Sequence, residues 1–169
     1  MKEVIVKDKQ LAEAAEKDFD AFIDVVVKAI YASIGDELNA DTMAELSADQ
    51  VTLLAYIILR DEVMEGGFIQ LIHDGYGAFI FKNPFSRMMR NWGIHGLASM
   101  LNKAHKSYSH HHEAIEAELT DDEFMALYEQ FPEFDDFDDD FVENEEEWTN
   151  ALAYYLDEHL DQFITIVKD

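Results

Sequence analysis

Residues 51–59, VTLLAYIIL, are apolar on almost every side of a helix drawn through them. Val51, Leu53, Leu54, Tyr56, Ile57, Ile58 and Leu59 leave no polar face for water. Such a segment is stable only at the centre of a domain, with other elements packed around it. Ser47 and Gln50 read as a capping box that opens this helix, and Gly66-Gly67 stops it. The chain before it repeats a helical stripe through Ala15, Phe19, Phe22, Ile23, Val26, Ile30 and Ile34, ended by Gly35.

The chain after it follows the same rule. Phe68 to His73 reads as a short helical turn, closed by Gly75 and Gly77. Asn83-Pro84 reads as a cap and a first-turn proline opening a short helix to Trp92. Leu97, Met100, Leu101, Ala104, Tyr108 and Ile115 mark a long helix. Thr120 with Glu123 is a second capping box, for a helix running to about Phe131. Asn144 with Glu147 reads as a third, opening a last helix with the stripe Trp148, Leu152, Tyr155, Leu156, Leu160 and Phe163. VIVK near the start and ITIV near the end are β-branched and suited to pair as a small edge. The fold expected is all-α: one compact domain over residues 1–169, with six or seven helices and a short terminal β pairing.

Composition narrows the function. The 169 residues are 49% hydrophobic, enough for one real core. The chain has no cysteine, which excludes disulfides, thiolate catalysis and cysteine-ligated zinc. Neither a signal peptide nor a stretch long enough to span a bilayer is evident, so a cytoplasmic location is expected. The net charge is −25. Residues 1–60 carry net −6, residues 61–112 net +1, and residues 113–169 net −20. That polarity repels nucleic acid and anionic membranes, and it attracts basic surfaces.

The charge concentrates in FPEFDDFDDDFVENEEEW, residues 131–148, where aromatics interrupt the carboxylates. Set as a twelve-residue calcium loop, Asp136, Asp138, Asp140, Asn144 and Glu147 fall at ligand positions 1, 3, 5, 9 and 12. Phe141 then stands where that loop needs glycine. The preferred reading is an ordered loop, pinned by Phe134, Phe137, Phe141 and Trp148, that displays its carboxylates from a fixed backbone. The histidines of His110–His112 do not repeat at i+4 and make no metal site; His111 lies on an apolar stripe. His73 beside Asp74 has no nucleophile motif near it, and the glycines of residues 66–77 lack the Lys-Ser/Thr of a phosphate loop. Neither a catalytic residue nor a cofactor or metal is expected.

Glu62, Gly66, Gly67, Phe68, Gln70, Asp74 and Gly77 resemble the pattern E-x-x-x-G-G-F-x-Q-φ-φ-x-N-x-x-G. That pattern marks a bacterial family of helical domains of unknown function that includes a DNA-mimic protein; Asp74 stands where the pattern has Asn. The motif reads as scaffold. The resemblance implies an acidic helical protein, compatible with a homodimer, that occupies the DNA-binding surface of a transcription factor or nucleoid protein. The resemblance further implies no direct contact with nucleic acid and, through that partner, a bearing on transcription regulation.

Elementary electrostatics allows this. A domain of this length is roughly 40 Å across. That length of duplex carries on the order of 24 phosphates, the size of the net charge. Glu13, Glu16, Asp20 and Asp24 read as one helical row of carboxylates, and Asp157 with Asp161 as another. The contact region expected is Asp135, Asp136, Asp138, Asp139, Asp140, Glu143, Glu145 and Glu146, with Asp121, Asp122, Asp157, Glu158 and Asp161 beside it. Two alternatives stand: a helical protein-interaction domain of another kind, and a cation-binding module using residues 136–147.

Overall fold

The computed structural model describes residues 3–168. Strand β1 (Ile5–Lys7) leads into helices α1 (Asp8–Lys17), α2 (Phe19–Ser33), α3 (Ala40–Met43) and α4 (Ala48–His73). Then come α5 (Gly77–Phe81), α6 (Phe85–Asn91), α7 (His95–Glu116), α8 (Asp121–Gln130) and α9 (Glu133–Glu158). A 3-10 turn (Leu160–Gln162) and strand β2 (Thr165–Val167) close the chain. The architecture is all-α, with nine α-helices among the described residues rather than six or seven. The surplus comes from the short α3 and α5 and from a break between α1 and α2.

That break corrects the single row of Glu13, Glu16, Asp20 and Asp24. Asp18 is extended (φ −173°, ψ 174°), and its carboxylate accepts the Ala21 N–H at 2.7 Å as the N-cap of α2. An aspartate gains more as a cap than inside a helix, so the chain divides there. Glu13 and Glu16 belong to α1, and Asp20 and Asp24 to α2, where Asp24 pairs with Lys28 at 2.8 Å.

The chain forms two compact units, and both α4 and α9 continue from one into the other. The first comprises residues up to Leu54 and from Thr149 onward. In it the expected edge forms: β1 and β2 pair in parallel, with Val6 opposite Ile166. Phe22, Ile23, Val26, Ile30, Leu53, Leu54, Leu152, Leu156 and Phe163 are buried. The Ser47–Gln50 capping box forms, with Gln50 N–H donating to the Ser47 hydroxyl at 3.1 Å and Gln50 Oε1 accepting the Ser47 N–H at 2.9 Å. The same buried amide donates to the Phe163 carbonyl at 2.8 Å, so the cap of α4 also pins the C-terminal segment.

The second unit, Ala55–Trp148, holds the remainder of α4, α5 to α8 and most of α9. Its core includes Tyr56, Leu59, Phe68, Ile69, Ile72, Met89, Leu97, Leu101, Tyr108 and Ile115. The Thr120–Glu123 capping box opens α8 as expected. Asn83 does not cap α6. Its amide donates to the Phe79 carbonyl at 2.8 Å, closing the preceding helix, and Pro84 occupies the cap position.

The double glycine breaks α4 as the sequence predicts. Gly66 (φ −145°) and Gly67 (φ 76°, ψ −175°) leave helical geometry, and Gly67 occupies a region only glycine adopts without strain. A break orphans backbone groups that a helix would satisfy. The Tyr128 hydroxyl donates to the Gly66 carbonyl at 2.7 Å, and the Asp138 carboxylate accepts the Phe68 N–H at 2.8 Å. Gln70 donates to Glu62 at 2.8 Å across the kink. The Phe68 ring is wholly buried, beside Phe81 and Phe137.

Candidate functional site

Residues 131–148 are not a loop. From Glu133 they are continuous helix, α9. Phe134, Phe141, Trp148, Leu152 and Leu156 are buried, and Phe137 and Glu145 are half-buried. Successive steps of three, four and seven residues place these side chains on one face. Glu133, Asp135 and Asp136 occupy the first turn, where the positive end of the helix dipole favours carboxylates. Twelve of the 26 residues of α9 are acidic and none is Lys or Arg. Like charges at i, i+4 oppose a helix by about 0.2–0.5 kcal/mol per pair. Burying one Phe contributes about 1.5–3 kcal/mol, so the aromatic stripe wins.

The helix also removes two other readings. Asn144 lies inside α9, and its amide donates to the Asp140 carbonyl at 2.8 Å and to the Asp140 carboxylate at 3.1 Å, so it caps nothing. The cation module based on residues 136–147 needs a curled loop whose ligands converge. On a helix, Asp138 projects away from the side shared by Asp136 and Asp140, so the three carboxylates do not converge. Among the described residues no group of three or more His, Asp or Glu side chains is placed to hold a metal ion.

In the second unit, Asp135, Asp136, Asp139, Glu143 and Glu146 are exposed on α9, and Asp121 and Asp122 are exposed in the first turn of α8. Asp140 is half-buried. Among the described residues none of these carboxylates is bridged to a lysine or arginine. Asp138 faces inward. Burial pushes its pKa up to about 6, against the pull of the Phe68 N–H, with Asp135 and Asp139 adding to the rise. It holds the kink instead of displaying charge. In the first unit, Asp157 and Glu158 at the end of α9 and Asp161 in the 3-10 turn are exposed.

The second unit also contains an open polar cleft of about 320 Å³, lined by Glu62, Glu65, Gln70, His73, Asp74 and Asp121 among others. Only Asp121 of these was expected at an anionic surface. Glu62 and Asp74 belong to the glycine motif, whose spacing is the one sequence signal for the cleft. Burial is the first cause that raises the Glu62 pKa; the Gln70 amide opposes it, and the neighbouring Asp74 carboxyl adds to it. His73 Nδ1 meets the Ile115 carbonyl at 2.8 Å, and its ring lies against Phe124. The hydroxyl in this lining, that of Thr120, is committed to the cap of α8.

The histidine run is structural. His111 packs on Phe131 at 4.5 Å between ring centroids and meets Glu133 at 2.6 Å, while His112 stacks on Tyr108 and pairs with Glu116. Ser107 donates to Glu133 at 2.6 Å, and this hydrogen bond is the first cause that lowers the Glu133 pKa. Among the described residues no helix is long and apolar enough to cross a membrane.

The chain is similar to known proteins in two comparisons. Residues 44–159 match the family described as DMP19-like protein. Over 137 residues, 80% of this chain and 80% of the relative, the sequence is 38% identical to a protein of Neisseria meningitidis serogroup B (strain ATCC BAA-335 / MC58) named DNA mimic protein DMP19.

Proposed function

The chain belongs to the family of DMP19-like proteins, and from that premise we propose that it is itself a DNA mimic. It binds a basic DNA-binding protein, a transcription factor or nucleoid protein, through its exposed carboxylates and blocks that protein's DNA site. The role is one of binding, not catalysis, and it suits the cytoplasm, where such partners work. The observation that carries the reading is the exposed row Asp135, Asp136, Asp139, Glu143 and Glu146 on a helix held by buried Phe134, Phe141 and Trp148. Side chains three and four apart on a helix lie about 5–6 Å from one another, so the row repeats charge at short, regular intervals. A stiff display matters because a flexible polyanion would lose conformational entropy on docking.

Affinity capture from a bacterial lysate at low salt, followed by elution with increasing salt, tests the reading. The reading expects one or a few basic DNA-binding proteins, released steeply as salt rises. Recovery of neutral or acidic partners, or of partners indifferent to salt, contradicts it.

A further inference from the structure

In the first unit, α1, α2 and the end of α9 leave an open apolar notch of about 210 Å³. Phe19, Phe22, Ala153 and Tyr154 line it, with Asp18 and Asp157 as its charged members. The break at Asp18 builds it. By capping α2, Asp18 starts the helix at Phe19, whose ring meets Tyr154 edge-on at 5.2 Å. Phe19 remains 39% exposed and Tyr154 59% exposed, in a chain that fully buries Phe68, Phe134, Phe141 and Phe163. Paired aromatic rings left in water are an opportunity for burial by a partner.

The size of the notch selects the occupant. Sites for small molecules run to about 300–1,000 Å³, so this one suits a single bulky side chain. The charge selects further. Asp18 and Asp157 favour a cationic surround, and a second copy would bring its own carboxylates against them. We propose that the notch receives one aliphatic or aromatic side chain of the basic partner, whose flanking Lys or Arg residues pair with Asp18 and Asp157. This rests on the mimic reading for the partner's charge. It supplies what a row of carboxylates lacks: a contact that survives salt and separates one basic protein from another.

The test uses the full-length protein and two peptides, Arg-Lys-Leu-Lys-Arg and Arg-Lys-Gly-Lys-Arg, each acetylated and amidated. Binding is followed by amide chemical shifts at low and high salt. At high salt the leucine peptide should bind about tenfold more tightly than the glycine peptide, as expected for partial burial of one aliphatic side chain. Shifts should centre on Phe19, Phe22 and Tyr154. Phe19→Ala and Tyr154→Ala, both at part-exposed positions, should each bring the leucine peptide toward the glycine level while the remaining spectrum stays folded. Equal binding of the two peptides, with shifts confined to α8 and to the residues of α9 before Trp148, overturns the notch and leaves the mimic reading standing. No binding of either peptide at low salt counts against both. Shifts at Phe19 and Tyr154 that grow with protein concentration, without peptide, identify a second copy as the occupant and overturn the proposal.

Discussion

The Asp138 carboxylate accepts the Phe68 N–H at 2.8 Å, across 70 residues of sequence. One hydrogen bond therefore ties the glycine kink of α4 to the acidic helix α9. It turns one aspartate of a run of acidic residues from display to support, and it gives the glycine motif a purpose. An orphaned donor at the kink is met by a carboxylate that α9 brings to it.

The bond has a pH signature. The folded-state pKa of Asp138 is raised from 3.8 to about 6. The folded protein therefore binds this proton more tightly than the unfolded chain does. The contribution to stability is fully present below about pH 4 and is lost as pH rises through about 6. Asp138→Asn keeps an acceptor for the Phe68 N–H and removes the buried charge. Denaturant unfolding should show it about 1–2 kcal/mol more stable than the parent at pH 8, allowing for partial solvent screening, with the gap closing near pH 4. Asp138→Ala strands the donor and should be about 1–3 kcal/mol less stable than Asp138→Asn.

Gly67 admits no side chain. At φ 76° and ψ −175° an added Cβ is strained, and it would stand 2.3 Å from Asp138 Oδ2. Gly67→Ala should cost about 2–4 kcal/mol, read as a lower thermal midpoint. Combining it with Asp138→Ala should recover part of the loss, because the clash goes while the backbone strain remains.

Charge and stability should move in opposite directions on α9. Asp139→Asn, Glu143→Gln and Glu146→Gln each relieve like-charge neighbours and should raise stability by a few tenths of a kcal/mol, about 0.2–0.5. The same changes should weaken capture of a basic partner. Phe141→Ala should destabilise by about 3–5 kcal/mol, since the ring is fully buried beside Trp148. Thermal melts paired with binding measurements separate the two classes.

Calcium should find no dedicated site on α9. Calorimetry with calcium chloride, against sodium chloride at equal ionic strength, should give no saturable heat at micromolar calcium. Added sodium chloride should raise the thermal midpoint by screening the repulsion of a net −25 chain. A stoichiometric calcium transition would show that residues 136–147 leave the helix to bind it.

Much of this was legible in sequence, and the errors have physical sources. The almost wholly apolar Val51–Leu59, the boxes at Ser47 and Thr120, the Gly66-Gly67 break and the terminal pairing all follow from local rules that tertiary packing here reinforces. Residues 131–148 read as a loop because the aromatics interrupt the carboxylates at short, uneven intervals, although Phe134, Phe137, Phe141 and Trp148 stand at helical spacing. Asn144 and Glu147 imitate a capping box, and only the hydrogen bonds to Asp140 show that the helix passes through them. The break at Asp18 is hidden in the sequence because the apolar residues on both sides of it share one helical period. Of the expected contact residues on α9, Asp138, Asp140 and Glu145 are not fully exposed, and Asp138 turns inward to meet the break in α4.

If the protein is a DNA mimic, the fixed carboxylates of α9 compete with DNA for a basic protein. The most direct measurement is fluorescence anisotropy of labelled duplex DNA bound to the captured partner, titrated with this protein. Full displacement of the DNA is expected, steeply weaker as salt rises. At least a tenfold loss of potency is expected when Asp135, Asp136, Asp139, Glu143 and Glu146 are changed together to Asn or Gln. Displacement by that neutralised variant as effective as the parent's, or a ternary complex in which DNA stays bound, would contradict it.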